Sequence, residues 1–458
     1  MLAFLGAPGQ AGAKKTQGEI QVRKNVIALS VASACMLVAA PKVQASAFAL
    51  AEQGASGLGN AFAGAAAVAE DASTVWWNPA GMSRLPRGKH LLFAGHLIIP
   101  KTEFNNDASV PALLQPTGLG DGGDAGDAAL VPNFYFVMDL NPRWNFGVGV
   151  NVPFGLATEY DSDWIGRFQG IKSEVKTLNI NPSLSYKLSD RSSLGFGLSY
   201  QYGKIDLLSA VNYAAAAGGA LGPELEGQNK TKLDGDAWGF NVGALFDITP
   251  ATRLGVHYRS SLDYEMDGDT SFSGVPGPLA ASPLVSNGDV KLDLETPATL
   301  SFSVAHRMND RLELLGDITW TEWSKIDRLP LIRTSGPANG ATLDTLAFNF
   351  DDTWRVAVGA NYKWSGPWTL RAGVAFDQSP VPNAEDRSVR LPDNDRTWFS
   401  VGAGYQASPR GRFDVGYTFI TVKDADINND QRAAGRGLVN GTYDATVHIL
   451  SVQYQHSF

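Results

Sequence analysis

Cysteine, charge and long apolar runs are all scarce in this chain. It has one cysteine in 458 residues, so no disulfide can form within it. Charged residues are 18% of the composition, below the roughly 25% of an average globular domain. The net charge of −9 argues against a nucleic-acid partner. The six histidines are scattered and no Gly-x-Ser-x-Gly segment occurs. We therefore predict no catalytic residue, no metal site and no cofactor.

The longest apolar stretch, residues 26–40, is too short for a membrane-spanning helix. It covers ~15 residues, against the ~20 that such a helix needs. Basic residues precede it and small residues follow it, which is typical of a secretory signal peptide. The sequence therefore predicts a signal peptide over residues 1–45, with an unusually long N-terminal extension and cleavage after Ala45. A lipoprotein cleavage site at Cys35 is the alternative.

The last segment of the chain shows a pattern that recurs before it. Within residues 442–458, Leu450, Val452 and Tyr454 alternate with polar residues, and the chain ends on Phe458. This alternation is typical of a strand with lipid on one side and a polar lumen on the other. The same pattern predicts fourteen strands, at roughly 88–101, 131–141, 144–154, 174–189, 192–208, 232–249, 252–267, 290–307, 311–322, 351–364, 368–377, 396–407, 411–423 and 442–458.

The connections between these strands alternate in length. Short polar turns, such as 141–143 and 408–410, alternate with long connections, such as 102–130 and 209–231. Short periplasmic turns and long outer loops are typical of outer-membrane barrels. A closed sheet also satisfies every backbone hydrogen-bonding group in lipid. We therefore predict an all-β fold, a fourteen-stranded antiparallel transmembrane β-barrel over residues 88–458, in the bacterial outer membrane.

The segment between the signal peptide and the first strand, residues 46–87, does not alternate and is rich in small side chains. Small residues suit close packing, so we predict that this segment is a plug, or hatch, inside the barrel lumen. Glycines at inward strand positions are expected to leave room for the hatch. These glycines are Gly195, Gly197, Gly402 and Gly404.

Four stretches together resemble the FadL-type family of outer-membrane long-chain fatty acid transporters and the related TodX-type hydrocarbon channels. They are 56–64 (SGLGNAFAG), 78–80 (NPA), 153–156 (PFGL) with Tyr160 and Trp164, and 379–396, which contains SPVP, DRS and PDNDR. The resemblance implies a fourteen-stranded barrel with an N-terminal hatch. The plug and gate residues that it implies are Phe48, Asn78, Pro79 and Ala80.

The resemblance also implies a kink in the third strand that opens sideways to the membrane. The corresponding residues are Asn151, Pro153, Phe154 and Gly155. A proline cannot donate to the strand ladder, so Pro153 suits such a break. The alternative is that Pro153 only ends the strand.

The ligand contacts that the resemblance implies are one basic group and two apolar loops. Lys204 stands where the family has a basic residue near the bound carboxylate, and a salt bridge with Asp206 is the alternative. Asp351 stands where a second basic residue is expected, and Arg355 is the residue that would substitute for it. The apolar loops 207–221 and 271–285 correspond to an outer capture groove, or alternatively form only a lid. Their predicted ligand contacts are Leu207, Leu208, Phe272 and Leu279.

The strand pattern and the resemblance together predict an outer-membrane transporter and no enzyme. It would take up long-chain fatty acids or other hydrophobic compounds by passive, plug-gated lateral diffusion, and a general diffusion porin is the alternative. The expected partners are outer-membrane lipid, a hydrophobic small molecule and the barrel-assembly machinery, which would recognise Phe458. The protein is expected to be a monomer.

Overall fold

Strands make up most of the chain that the computed structural model describes, which is residues 47–458. The predicted signal peptide, residues 1–45, lies outside the described residues. The described helices have one turn each: α1 (Ala55–Leu58), α2 (Ala65–Val68), α3 (Thr74–Trp77) and α4 (Tyr213–Ala216). The 3-10 turns are Pro79–Arg84, Gly277–Leu279, Pro283–Val285, Trp323–Lys325 and Arg432–Ala434. Over residues 47–458, no helix is long and apolar enough to cross a membrane.

The described strand segments follow one another along the chain. The first ten are β1 (Lys89–Asn106), β2 (Ala129–Asp139), β3 (Trp144–Asn151), β4 (Gly155–Glu159), β5 (Lys172–Lys187), β6 (Ser192–Asn212), β7 (Glu226–Thr249), β8 (Thr252–Arg259), β9 (Leu262–Ser273) and β10 (Gly288–Thr296). The next ten are β11 (Thr299–Arg307), β12 (Leu312–Thr321), β13 (Arg328–Arg333), β14 (Thr342–Ala347), β15 (Thr353–Lys363), β16 (Trp368–Asp377), β17 (Arg396–Gln406), β18 (Gly411–Val422), β19 (Ala425–Asp430) and β20 (Leu438–Ser457).

These twenty segments form fourteen barrel strands, because six pairs of consecutive segments are each one strand with a short break in it. The continued pairs are β3/β4, β8/β9, β10/β11, β12/β13, β14/β15 and β18/β19. Neighbouring strands are antiparallel, and β1 pairs with β20 from His90–Ser457 to Asn106–Gly441, which closes the sheet. The prediction of a closed, fourteen-stranded antiparallel barrel is therefore confirmed.

The predicted strands differ from the observed ones mainly at their outer ends. β13, β14 and β19 fall in stretches that we predicted to be long loops. On β13 and β19 the alternation is reversed relative to the lipid-facing strands: Leu329, Leu331 and Ile427 are buried, whereas Arg328 and Asp426 are exposed. A search for apolar residues outward and polar residues inward therefore does not find these segments.

The two faces of the strands have the predicted character. On β17, Phe399, Val401 and Tyr405 face outward and are exposed to the surroundings of the barrel, whereas Ser400 is buried inside. Aromatic side chains gather near the two edges of the outward apolar band, as expected for residues at membrane interfaces. They include Trp144, Tyr186, Trp364, Trp368 and Tyr405 near the short turns, and Tyr200, Trp238 and Trp354 nearer the long loops.

Residues 47–87 contact the inward faces of strands on several sides of the barrel. A Cβ atom at Gly195 would stand 2.2 Å from the Ala80 backbone nitrogen. A Cβ atom at Gly402 would stand 2.7 Å from the Gly59 Cα. Only glycine permits such close approach of two backbones. The other two predicted glycines, Gly197 and Gly404, make room for side chains of the wall instead.

Charged and polar side chains also connect this segment to the wall. Glu70 Oε2 lies 3.0 Å from Arg371 Nη2 and 3.3 Å from Arg412 Nη1, and Arg371 Nη1 lies 2.8 Å from Asp414 Oδ1. Removing one partner of a buried ion pair costs ~3–5 kcal/mol, because the other charge stays buried without compensation. The cluster therefore holds the middle of the segment firmly against β16 and β18.

The first testable prediction concerns orientation in the membrane. Short turns of outer-membrane barrels face the periplasm, so an epitope inserted at Gly218, after α4, should bind antibody on intact cells. An epitope at Asp190, in the turn between β5 and β6, should bind only after permeabilisation. The reverse pattern would place the long loops inside and contradict this orientation.

The second prediction concerns the role of residues 46–80 as a plug. Deleting them should leave a folded barrel, because the strand ladder does not depend on most of them, and should open the lumen to ions. Single-channel conductance in planar bilayers should rise relative to the full chain. Heat-modifiable migration in SDS gels serves as the folding control. A folded deletion variant with unchanged conductance would show that the segment does not block ion flow.

Candidate ligand path and lateral opening

A groove of about 440 Å³ opens between the outer loops. Phe272, which the sequence predicted as a ligand contact, lines it together with Leu284 and Val285. Leu279 lies apart, on the 3-10 turn Gly277–Leu279, and does not line the groove. Leu284 is 70% exposed, so the groove offers apolar surface to the exterior.

An apolar column leads inward from the groove, and Leu343 belongs to both. Leu207 faces this column, as predicted. Leu208, also a predicted ligand contact, points to the opposite side of β6 and packs against Phe168 and Ile171, so it does not face the column. Consecutive residues of a strand face opposite sides, which is the reason. Other members of the column are Ile205, Leu233, Tyr264, Met266, Val290, Leu292, Leu294, Ile326, Leu329 and Leu331.

The inner end of the column is an aromatic cluster that includes the start of the hatch. The ring of Phe48 lies 5.0 Å from that of Trp323 and 5.5 Å from that of Phe154, centre to centre. Trp323 also contacts Phe350 at 6.0 Å. Edge-to-face contacts at these distances are favourable. Phe48, a predicted gate residue, therefore lies between the apolar column and the deeper part of the lumen.

Ala47, which precedes Phe48 in the hatch, is held by the PDNDR stretch, and the sequence did not reveal this role. The Ala47 backbone N–H donates to Asp393 Oδ2 at 3.0 Å. Asp393 also pairs with Arg396 and accepts a hydrogen bond from Ser379 Oγ at 2.9 Å. The stretches PDNDR and SPVP thus converge on one carboxylate that holds the first described residue of the hatch.

A chamber of about 160 Å³ lies below the aromatic cluster, between the hatch and the barrel wall. Its hatch side is apolar and its wall is polar. Ser301, Thr319, Arg355, Asp377 and Arg396 stand in one row across five adjacent strands, each opposite the next. The lining includes Arg259 and Arg355 but also Asp317 and Asp377, so its basic and acidic groups balance.

Arg355 faces this chamber, as its position in the strand predicted. Its Nη2 donates to the Ala61 carbonyl at 2.8 Å, and its Nε is buried without a hydrogen-bond partner among residues 47–458. Glu52 of the hatch is buried nearby. Burial raises the pKa of Glu52 to about 7, although Arg355 and Arg396 act in the opposite direction. The Nε–H of Arg355 is therefore a buried donor beside the chamber.

The prediction that Lys204 holds a ligand in the lumen is wrong. On β6, Gly203 and Ile205 are buried inside, whereas Lys204 is exposed on the outer face. Its Nζ lies 5.5 Å from the centre of the Tyr202 ring. Asp206, also on the outer face, pairs with Lys230 at 3.8 Å, so the alternative salt bridge does not form either.

The third strand is broken where the sequence predicted. β3 ends at Asn151 and β4 begins at Gly155, with Pro153 and Phe154 between them. On the β2 side of the third strand, Phe134–Asp139 pair with β3. No described strand pairs with the same edge of β2 at residues 129–133. The hatch contacts the break directly: Leu50 N donates to Pro153 O at 2.8 Å, and Gly155 N donates to Phe48 O at 2.8 Å. The Pro153 carbonyl therefore also holds the hatch.

The predicted gate residues Asn78, Pro79 and Ala80 lie away from this break. Asn78 Nδ2 donates to the carbonyls of Ala66, at 2.7 Å, and Ala244, at 3.1 Å. Its Oδ1 accepts the Ala80 N–H at 3.1 Å. A Cβ atom at Gly243 would stand 2.0 Å from that Oδ1. The NPA segment thus anchors the inner end of the hatch to β7.

Comparison with known proteins agrees with this architecture. The model of the family described as outer membrane protein transport protein (OMPP1/FadL/TodX) matches residues 36–458. Outer membrane protein P1 of Haemophilus influenzae is 30% identical over 471 residues, covering 94% of this chain and 99% of that protein. The long-chain fatty acid transport protein of Escherichia coli is 29% identical over 436 residues, covering 89% and 94%.

The structural comparison gives the same result. The crystal structure of a Pseudomonas aeruginosa FadL homologue superposes with a TM-score of 0.82 at 29% identity, covering 90% of this chain and all 100% of that one. The family model spans all of the described residues. The chain therefore belongs to the outer membrane protein transport family (OMPP1/FadL/TodX) and is an outer-membrane transporter, neither an enzyme nor a general diffusion porin.

Proposed function

We propose that this chain takes up long, largely apolar molecules by passive diffusion that the hatch gates, with exit sideways into the membrane. The observation that carries the proposal is the apolar column, which runs from the outer groove to the aromatic cluster beside the broken third strand. A relative that is 29% identical and named as a long-chain fatty acid transport protein supports the same class of substrate.

The route follows from the cost of returning an apolar tail to water. Each exposed CH₂ costs ~0.8 kcal/mol. A molecule captured in the groove loses less if it stays among Phe272, Leu207 and Phe48 and then enters lipid directly. An aqueous exit to the periplasm would impose the full cost on the tail. The opening at Asn151–Gly155, which includes Pro153 and Phe154, offers the lateral exit.

Arg355 is the proposed contact for a polar head group. It faces the chamber below the aromatic cluster, and its Nε has no partner within the described chain. Asp351, which replaces the second basic residue of the family, is exposed in the short break between β14 and β15. The balanced charge of the chamber suits both an acid that pairs with Arg355 and a head group without charge.

Two further proposals concern assembly. Phe458 is 62% exposed at the outward side of the barrel seam, and its backbone N–H donates to Lys89 O at 2.9 Å. Its ring is therefore accessible to the barrel-assembly machinery, which we propose as its partner. The barrel completes its own ladder between β1 and β20, so no second copy is needed to close it, and we propose a monomer.

The third prediction separates Arg355 from Lys204. Arg355→Met should lower uptake of a labelled fatty acid about tenfold relative to a labelled neutral hydrocarbon, because a charge-assisted hydrogen bond is lost. Lys204→Met is the matched control and should change neither uptake rate, since Lys204 faces outward. Uptake is measured in cells that lack other transporters of this family. If Arg355→Met lowered the uptake of both compounds equally, Arg355 would hold the hatch and would not contact the head group.

The fourth prediction tests the lateral exit. Ala49 and Phe154 are bridge partners between hatch and third strand, and antiparallel partners lie within disulfide reach. In a Cys35→Ser background, Ala49→Cys with Phe154→Cys should form a disulfide that locks the hatch in the break. Uptake should stop in the oxidised protein and return after reduction of the same sample. Full uptake with the disulfide intact would rule out this exit.

A further inference from the structure

The ladder between the second and third strands ends in a way that assigns a role to the hatch. The last pairs in register are Phe136–Val148, Tyr135–Gly149 and Phe134–Val150. The next pair in that register would be Asn133 and Asn151. Instead, both of these inward side chains hydrogen-bond to the hatch: Asn133 Nδ2 to Glu52 O at 2.7 Å, and Asn151 Nδ2 to Gln53 Oε1 at 2.7 Å.

Gln53 makes more of these contacts than any neighbouring residue of the hatch, and its side chain is fully buried. Its Nε2 donates to Val152 O and to Leu50 O, both at 3.0 Å. Its Oε1 accepts from Asn151 Nδ2, and from the Tyr135 hydroxyl at 3.3 Å. One amide thus connects the second strand, the end of the third strand, the break and the hatch backbone.

The position of Gln53 matters because of what surrounds it. Val152 lies in the break itself, so its carbonyl lacks a ladder partner from β2. A carbonyl facing a lipid-accessible gap needs a donor from within the protein. The Gln53 amide supplies that donor. Asn179 Nδ2, from β5, holds the other end of the Asn151 amide at 2.9 Å, which fixes the orientation of Asn151.

We propose that Gln53 is a positioning residue that latches the lateral opening shut and links it to the aromatic cluster at Phe48. The inference rests on the proposed function in one respect, the lateral exit. Residues 48–53 run along the break, held by Phe48 O and Leu50 N at one end and by Gln53 at the other. A ligand that displaces Phe48 breaks the first two hydrogen bonds. Separation of the strands then depends on the hydrogen bonds of the Gln53 side chain.

The latch predicts a separation of kinetic effects. Gln53→Met keeps the length of the side chain and removes all its hydrogen bonds. The break should then open more often, so the maximal uptake rate should rise while the ligand concentration for half-maximal uptake stays unchanged. Phe48 and the outer groove, where ligand is captured, are untouched by this substitution.

A matched control exists on β20, two strands from Asn133: Gln453 is opposite Ala94 of β1, which is opposite Asn133 of β2. Gln453 of β20 is also a buried glutamine that holds the hatch: its Oε1 accepts from Ala55 N at 2.9 Å, and its Nε2 donates to Asp71 Oδ2 at 2.9 Å. Gln453→Met removes hydrogen bonds of the same kind but leaves the break alone. A general loosening of the hatch would affect both variants equally.

The direct test measures opening of the break without transport. Val152→Cys in a Cys35→Ser background places one thiol in the break, buried as Val152 is. The rate of maleimide labelling of the purified full-length protein in detergent reports how often the break opens. Adding Gln53→Met should accelerate labelling about fivefold to tenfold, the effect of about one net hydrogen bond. Heat-modifiable migration confirms that each variant is folded.

The outcomes separate the latch from the transport route. Faster labelling with Gln53→Met and an unchanged rate with Gln453→Met would support the latch. Unchanged labelling with Gln53→Met, or equal acceleration by both variants, would overturn it. Faster labelling in Gln53→Met combined with unaltered uptake of a labelled hydrophobic compound would support the latch and overturn the lateral exit instead.

Discussion

The constraint on which this structure depends is that backbone N–H and C=O groups need partners wherever lipid replaces water. A closed barrel meets it by pairing every strand, and the seam between β1 and β20 completes the ladder. In the third strand this pairing is interrupted, because residues 152–154 leave the ladder. There the hatch supplies the partners, through Leu50 N, Phe48 O and the Gln53 amide. The hatch is therefore part of the wall at this one place.

Much of the fold could be predicted from the sequence because the barrel signal is local. Alternation between lipid-facing and lumen-facing residues appears within about ten residues of a strand, so the strand count and the thirteen connections could be recognised without distant contacts. The outer segments β13, β14 and β19 could not, since β13 and β19 bury their apolar residues and expose polar ones, the reverse of the lipid-facing pattern. The break at Pro153 was predictable because proline removes a ladder donor.

The candidate site was predicted less well, for reasons that particular residues make clear. Arg355 was found from its place in the alternation with Trp354 and Val356. The same rule, applied to β6, would have placed Lys204 on the outer face with Tyr202, so the signal for that correction was present in the sequence. Asp393 gave no such signal, because its partner Ala47 is 346 positions away. Contacts of this range depend on closure of the whole barrel.

The two ends of the hatch differ in how they are held, and this difference bears on gating. Its inner part lies against the wall backbone: a Cβ atom at Gly373 would stand 2.1 Å from Asn60 O. Such contacts, together with the Glu70–Arg371 pair, are lost only if the whole segment moves. The outer end, residues 47–53, is held by individual hydrogen bonds and by the two aromatic contacts of Phe48, each worth ~1 kcal/mol. A ligand can therefore displace this end alone. In the route that we propose, the sideways path then opens while the inner part continues to block the lumen.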